Sequence, residues 1–81
     1  MEKIYTFGIR DNRGEWHYLT TKYQIAPMQL RHAHYQDLKN TEESAKKVLS
    51  NLDENKFDFE TATLFELVIN VKPFNSLKNI K

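Results

Sequence analysis

The chain has 81 residues, 40% of them hydrophobic, with five Phe, four Tyr, one Trp and only two Gly and two Pro. This composition excludes a disordered chain, and the length suffices for one hydrophobic core, so we expect residues 1–81 to form a single domain. The formal net charge of +1 excludes a strong electrostatic field that would attract nucleic acid. The absence of cysteine excludes disulfides and thiolate chemistry.

Residues 4–10 and 15–21 are β-branched and aromatic runs separated by the turn residues DNRG at 11–14, which predicts a β-hairpin. We expect Arg10 to pair with Glu15, because the alternative register places Asp11 opposite Glu15 and sets like charges together. That register gives the hairpin a core side and a reverse side. The core side would carry Tyr5, Phe7, Ile9, Trp16 and Tyr18. The reverse side would carry Ile4, Thr6, Gly8, His17 and Leu19.

The middle of the chain shows weaker patterns. Residues 22–30 have no clean period and Pro27 lacks a backbone donor, so we predict an irregular crossing with a bend near Ala26 and Pro27. A short helix that begins at Pro27 is the alternative, because proline suits a first helical turn. Residues 31–38, RHAHYQDL, then predict a short polar strand at a sheet edge.

A helix is the clearest predicted element. The sequence NTEES at 40–44 is typical of a helix start, with Asn40 or Thr41 as its cap. Apolar residues then recur at i, i+3, i+4 and i+7, which predicts one apolar stripe that faces a sheet. The stripe comprises Ala45, Val48, Leu49 and Leu52. We expect the helix to end at Asn55, since asparagine tolerates the left-handed conformation there.

Residues 63–72 alternate apolar and mixed side chains and stop before Pro73, which predicts a strand. Because Leu64 and Val68 make its second side partly apolar, we expect a central position in the sheet. Residues 73–81 are expected to fray. The element order β-β-(β)-α-β predicts an α+β fold, a small antiparallel sheet of three to four strands with one amphipathic helix on one face.

One helix covers only one face of such a sheet, so apolar side chains on the other face need a different cover. The residues expected there are Ile4, Leu19, Leu64 and Val68. Segment 22–30, the C-terminal tail, a second copy of the chain or a partner protein could cover them. The sequence therefore predicts a surface that is free to bind.

The three histidines are the candidates for metal or catalytic chemistry. On a strand, His32 and His34 would lie on one side and could share Zn²⁺ with His17 or a carboxylate. Structural zinc sites have four ligands in a tighter spacing and rely on cysteine, so we predict a polar strand without metal or cofactor. His17 has no visible nucleophile to serve, so we also predict no catalytic residue and no enzymatic activity.

With catalysis and metal binding disfavoured, the functions left to consider are binding to nucleic acid and binding to protein. Arginines and aromatic side chains are the ingredients of a nucleic-acid interface, but the small net charge and the expected core position of Trp16 and Tyr18 argue against one. We therefore predict a protein-binding module, with a nucleic-acid-binding accessory protein as the alternative. An edge strand at 31–38 could also accept a strand from a partner or from a second copy, as in a homodimer. The predicted binding residues are Arg10, Arg13, His17, Tyr23, Met28, Arg31, His32, His34 and Tyr35.

The hairpin, the polar segment RHAHYQ, the helix start TEESA and the last apolar strand give the chain a recognisable order of elements. This order resembles that of small β-β-β-α-β proteins encoded in phages and mobile elements of low-GC Gram-positive bacteria. The resemblance implies an inhibitor that blocks a host or defence enzyme by occupying its surface. Since no segment has signal-peptide character or membrane-spanning length, we expect a protein in the cytoplasm of the bacterial host, with no membrane partner.

Overall fold

The computed structural model describes residues 2–70, which form a four-stranded antiparallel sheet with one α-helix packed on it. The elements are β1 (Glu2–Asp11), β2 (Trp16–Leu19), β3 (Ile25–Pro27), α1 (Leu38–Asn51) and β4 (Phe57–Ile69). The strand order is β3-β2-β1-β4. The predicted α+β class and its single amphipathic helix are thus confirmed. The expected tail at 73–81 lies outside the described residues.

The turn between β1 and β2 fixes the hairpin register. Gly14 has a φ of +87°, and its N–H donates to the Asp11 carbonyl at 3.0 Å, so residues 12–14 form a three-residue loop ending in a left-handed residue. Asp11 N donates to the Glu15 carbonyl at 2.9 Å, which places these two acidic residues opposite each other. The predicted register is therefore wrong by one residue. The observed pairs are Gly8–Tyr18, Ile9–His17 and Arg10–Trp16.

The like charges are tolerated because the carboxylate of Asp11 belongs to the turn. Its Oδ1 accepts hydrogen bonds from the backbone N–H groups of Arg13 and Glu15, both at 2.9 Å. These bonds stabilise the ionised carboxylate, while the Glu15 side chain is exposed to solvent. Backbone geometry at the turn therefore outweighs a weak repulsion between side chains.

The shifted register moves every β2 side chain to the other side of the sheet. Leu19, expected on the reverse side, is fully buried, and His17 also lies on the helix side. Trp16 and Tyr18, expected in the core, lie on the side away from α1. The prediction of an aromatic core side is thus wrong for both aromatic residues of β2.

The hydrophobic core lies between α1 and the sheet. Its buried members are Phe7, Ile9, Leu19, Ala45 and Val48. Partly buried residues packed against them are Ile25, Leu49, Leu52, Phe57, Phe59 and Ala62. All four residues of the predicted helix stripe belong to this cluster, which confirms the face that the helix presents to the sheet.

The third strand is not where the sequence predicted it. Residues 31–38 do not form a strand, because Leu30–His32 form a short 3₁₀ helix and Gln36 makes only an isolated bridge to Tyr5. Instead β3 arises within the segment predicted to be irregular. Pro27 is accommodated at the end of this edge strand, where its missing N–H breaks no internal ladder.

Both ends of α1 differ from the prediction. The N-cap is Asp37, whose side chain accepts a hydrogen bond from Asn40 N at 2.7 Å, so neither Asn40 nor Thr41 caps the helix. Thr41 is instead buried, with its hydroxyl 3.1 Å from the Tyr5 carbonyl. At the other end the helix stops at Asn51, and Asn55 does not adopt a positive φ.

Strand β4 is longer than predicted and lies at a sheet edge, so the expected central position is wrong. It pairs only with β1 within residues 2–70, and residues 59–62 bulge opposite Ile9. Thr61 Oγ1 accepts a hydrogen bond from Arg10 N at 2.8 Å and so satisfies that amide at the bulge. The apolar residues Leu64 and Val68 on the second side of β4 are therefore exposed, and they do not indicate a central strand.

The register gives a direct test with two leucines. Leu19→Ala should lower the free energy of unfolding by about 2–5 kcal/mol, since it leaves a cavity beside α1. Leu67→Ala, at a position that is 43% exposed, should change it by less than about 0.5 kcal/mol. Urea denaturation followed by circular dichroism measures both. Equal losses would contradict the observed register.

Candidate binding surface

The side of the sheet opposite α1, which we term the open face, is centred on three aromatic rings. Trp16 and Tyr18 are stacked, with ring centroids 5.9 Å apart and planes inclined by 3°. Phe65 of β4 meets both rings edge-on, at 5.5 Å from Trp16 and 5.7 Å from Tyr18. Edge-to-face and offset arrangements of this kind are favourable because they match the quadrupoles of the rings.

Gly8 makes room for this aromatic layer. A Cβ atom at position 8 would lie 2.7 Å from ring carbons of Tyr18 and 2.9 Å from the ring of Phe65. Tyr18 is only 8% exposed, so its ring has little space into which it could move. The absence of a side chain at Gly8 therefore lets the rings lie directly on β1.

Residues 30–36 cover one end of the open face. Thr6 Oγ1 donates a hydrogen bond to the His34 carbonyl at 2.7 Å, and Thr6 is fully buried. Tyr35 OH donates to the Leu30 carbonyl at 3.0 Å. Burial of the Tyr35 hydroxyl, and then the charge of Tyr18, raise the pKa of Tyr35 above its ordinary value. Residues 30–36 thus shield this end of the open face from solvent.

The rest of the open face has no cover from residues 2–70. Trp16 and Phe65 are half-buried, Ile4 is half-buried, and Leu67 is 43% exposed. Of the four apolar residues expected on this face, Ile4 lies there, while the C-terminal tail that could cover the face lies outside the described residues. The sequence did not indicate Trp16, Phe65 and Leu67 for this face. The one-residue register error placed Trp16 in the core, and the assignment of Leu64 and Val68 to the reverse side placed Phe65 and Leu67 on the core side of β4.

The other residues expected on this face lie elsewhere. Leu19 belongs to the core, while Leu64 and Val68 point to the helix side, as their pairing with Phe7 and Lys3 requires. Leu64 and Val68 are nevertheless 42% and 44% exposed, because α1 does not extend over this part of β4. The apolar surface therefore wraps around the outer part of β4.

The predicted binding residues do not form one cluster. Arg10 and Arg13 are exposed at the hairpin turn, where Arg10 Nε donates to the Gly14 carbonyl at 3.2 Å. His17 lies on the helix side with its ring 5.0 Å from that of Phe57, so its expected position away from the core is wrong. These three residues belong to the turn end of the sheet.

The remaining predicted residues lie beyond β2. Tyr23 is 52% exposed in a turn with a φ of +58°, and its ring meets that of His34 edge-on at 5.8 Å. Arg31 and His32 are exposed on the 3₁₀ helix. Met28 and Tyr35 are the two that border the open face, since Met28 lines a groove with Trp16 and Tyr18 and Tyr35 lies near Tyr18.

Among residues 2–70, one group of side chains has ligand atoms close enough for a shared metal ion, namely Asp11, Glu15 and His17. His17 Nε2 lies 2.9 Å from Asp11 Oδ2 and 3.9 Å from Glu15 Oε1. Both Asp11 oxygens are already engaged, one by turn amides and one by His17. The cluster is thus accounted for by the turn, and His32 and His34 join no such group within the described residues.

Hydrogen bonding lowers the pKa of Asp11 below its ordinary value. The largest cause is the bond with the His17 side chain, followed by the bond from the Glu15 amide, while burial acts in the opposite direction. The sequence held a signal for this contact. In the register that places Asp11 opposite Glu15, positions 11 and 17 are diagonal neighbours on one side of the sheet.

Comparison of the chain with protein-family models, with curated proteins and with solved structures gives no match. Within the described part of the chain, no helix has the length and apolar content needed to cross a bilayer.

The lowered pKa of Asp11 predicts an acid-sensitive part of the stability. A carboxyl group with a lower pKa in the folded state stabilises the protein above its unfolded pKa, and this contribution is lost as pH falls through the folded pKa. Asp11→Asn should therefore melt at a lower temperature than the natural protein at pH 6, with the difference shrinking below about pH 4.

Thermal melts between about pH 2 and pH 6 measure this difference, because carboxyl groups titrate within this range. Glu60→Gln is the control, because Glu60 is exposed and its side chain makes no hydrogen bond or ion pair with residues 2–70. A melting difference between Asp11→Asn and the natural protein that stays constant with pH would contradict the role of the Asp11 charge.

Proposed function

We propose that this chain is a non-enzymatic protein-binding module that docks through the open face. The observation that carries the proposal is the apolar surface of Trp16, Phe65 and Leu67, which residues 2–70 leave partly exposed to solvent. Contiguous apolar surface of this kind marks interaction sites, and aromatic side chains at the centre of an interface supply much of its binding energy.

The surroundings of this surface support the same function. Arg10 lies at one end of the open face, directly opposite Trp16, and Met28 lines a groove beside Trp16 on the other side. Arginine and methionine are enriched at protein interfaces together with aromatic residues. The stacked rings are held by Gly8 and by each other, so docking requires little ordering of side chains.

The biological role we propose is inhibition. A rigid sheet with a preformed aromatic patch suits a protein that blocks an enzyme of the bacterial host, or a defence enzyme, by occupying its surface in the cytoplasm. The observed order β-β-β-α-β agrees with the phage and mobile-element proteins that the sequence resembles. This support is an analogy of architecture. A second copy of the chain is the competing occupant of the open face.

Site-specific photo-crosslinking tests the docking surface. With benzoylphenylalanine in place of Leu67, we expect a discrete crosslinked protein in extracts of the bacterial host, because position 67 lies on the exposed part of the open face. The matched control carries the same group in place of Lys46, which is exposed on α1. Crosslinks of equal yield from both positions, or none from position 67, would contradict the proposal.

Truncation of the central ring adds a quantitative test. Trp16→Ala should weaken binding to the crosslinked protein by about 30-fold or more, the loss typical of a central aromatic anchor. Crosslinks that join two copies of the chain would instead identify homodimerisation as the use of this face.

One observation favours nucleic-acid binding as a second candidate function. The aromatic rings of β2 were expected in the core, but Trp16 and Tyr18 lie with Phe65 on the open face of a four-stranded sheet, near Arg10. Sheets of this kind can stack bases on aromatic residues. The stacked rings contact one another, however, and the formal net charge of +1 supplies little attraction to phosphates.

A salt titration separates the two functions. For a protein-binding module, we expect mixed-sequence oligonucleotides to bind no tighter than about 10⁻⁴ M at physiological salt, the weak end of non-specific affinity. Fluorescence anisotropy of labelled single strands between low and physiological salt measures this affinity. Tight binding that falls steeply with salt and is weakened by Trp16→Ala would favour the nucleic-acid function.

A further inference from the structure

The two edges of the sheet differ in length and in protection. One edge is β3, which has three residues and ends at Pro27. The other edge is β4, whose 13 residues pair with β1 on one side only among residues 2–70. A long open edge presents a row of unpaired backbone groups that can accept another strand.

Hydrogen bonds of β1 show which backbone groups of β4 point outward. Tyr5 N donates to the Gln36 carbonyl at 2.7 Å and Gln36 N donates to the Tyr5 carbonyl at 2.8 Å, so both groups of Tyr5 point away from β4. Glu66 lies opposite Tyr5. Because backbone groups alternate along an antiparallel pair, the N–H and carbonyl of Glu66 point away from β1. The same holds for Leu64 and Val68, two residues along in each direction.

These outward-pointing residues lie in a stretch without the usual protection of a sheet edge. Residues 63–69, TLFELVI, contain no lysine, arginine, proline or glycine, and the bulge of β4 lies before them at 59–62. Natural edge strands are commonly blocked by lysine, proline or a bulge. Leu64 and Val68 are also 42% and 44% exposed, so apolar side chains flank the free backbone groups.

The charges of β4 indicate what kind of strand fits this edge. Its charged residues are Asp58, Glu60 and Glu66, all of them exposed and all acidic. A second copy of the chain would bring three more carboxylates to the edge and no cation from its own β4. A strand with lysine or arginine between apolar residues complements both the charge and the apolar flanks.

We propose that the outer edge of β4 over residues 63–69 binds an extended basic and apolar segment of a partner protein. The segment adds a fifth strand through the backbone groups of Leu64, Glu66 and Val68. Its apolar side chains contact Leu64 and Val68, and its cations lie beside Glu66. The inference rests on the proposed protein-binding function and names the chemistry of the partner segment.

Val68→Pro tests the edge without touching the ladder to β1. Proline at position 68 removes an N–H that points outward, so the fold should persist, whereas an added strand would lose that hydrogen bond. Val68→Thr is the matched control, since it keeps the N–H and a β-branched side chain. Circular dichroism and thermal melts of both variants check that the sheet is retained.

Leu64, Glu66 and Val68 lie on the same side of β4, so a complementary strand needs an apolar residue, a cation and an apolar residue at alternate positions. The probes are two labelled nine-residue peptides of threonine, one with valine, lysine and valine at alternate central positions and one with glutamate in place of that lysine. By fluorescence anisotropy, we expect the lysine peptide to bind the natural protein and Val68→Thr alike, and Val68→Pro at least about fivefold more weakly. The glutamate peptide should bind at least about tenfold more weakly than the lysine peptide, and Glu66→Lys should reverse that preference.

Several results would overturn the edge proposal. They are equal binding of the two peptides, affinity for the lysine peptide weaker than about 1 mM, and unchanged binding to Val68→Pro. A dimer of the natural protein in sedimentation that Val68→Pro abolishes would also overturn it, since a second copy would then occupy the edge. Lysine-peptide binding that Trp16→Ala removes and Val68→Pro preserves would reject the edge and leave the protein-binding function standing.

Discussion

The carboxylate of Asp11 and the left-handed Gly14 hold the turn on which the rest of this structure depends. Asp11 accepts hydrogen bonds from two turn amides and from His17, and Gly14 closes a three-residue loop. Loop length fixes hairpin register, and register decides which side chains of β2 face the helix. With one residue fewer in the loop, the core would receive Trp16 and Tyr18 and would lose Leu19.

The observed register divides the apolar side chains between two layers. Aliphatic residues and Phe7 meet α1, whereas the rings of β2 and Phe65 lie on the other side above Gly8. A single 14-residue helix covers only the first layer. Residues 30–36 cover one end of the second layer through bonds such as Thr6 to His34, and no other segment among residues 2–70 covers the rest. Within residues 2–70, the partly exposed aromatic surface thus follows from the register and from the presence of one α-helix.

The sequence predicted the features that depend on composition and periodicity. The hairpin, the helix stripe and the α+β class could all be inferred, because each depends on a pattern that is repeated over many residues. The features that were predicted wrongly depend on the local interactions of one or two residues. Asp37 and Asn40 are equally good caps in isolation, and RHAHYQD alternates like a strand although Gln36 alone makes a bridge. The predicted hairpin register was wrong because it was based on the weak repulsion between Asp11 and Glu15, whereas the geometry of the turn decides the register.

The open face and the outer edge of β4 adjoin, because one strand contributes to both. Phe65 and Leu67 belong to the open face, while Leu64 and Glu66 alternate with them and have backbone groups that point outward. A strand paired with residues 63–69 would be roughly 23 Å long and too narrow for a stable interface alone, which buries about 800 Å² on each partner. A partner whose paired strand also extends over the aromatic layer would bury a larger area. Backbone pairing would then set its orientation, and the rings of Trp16 and Phe65 would supply the apolar contact.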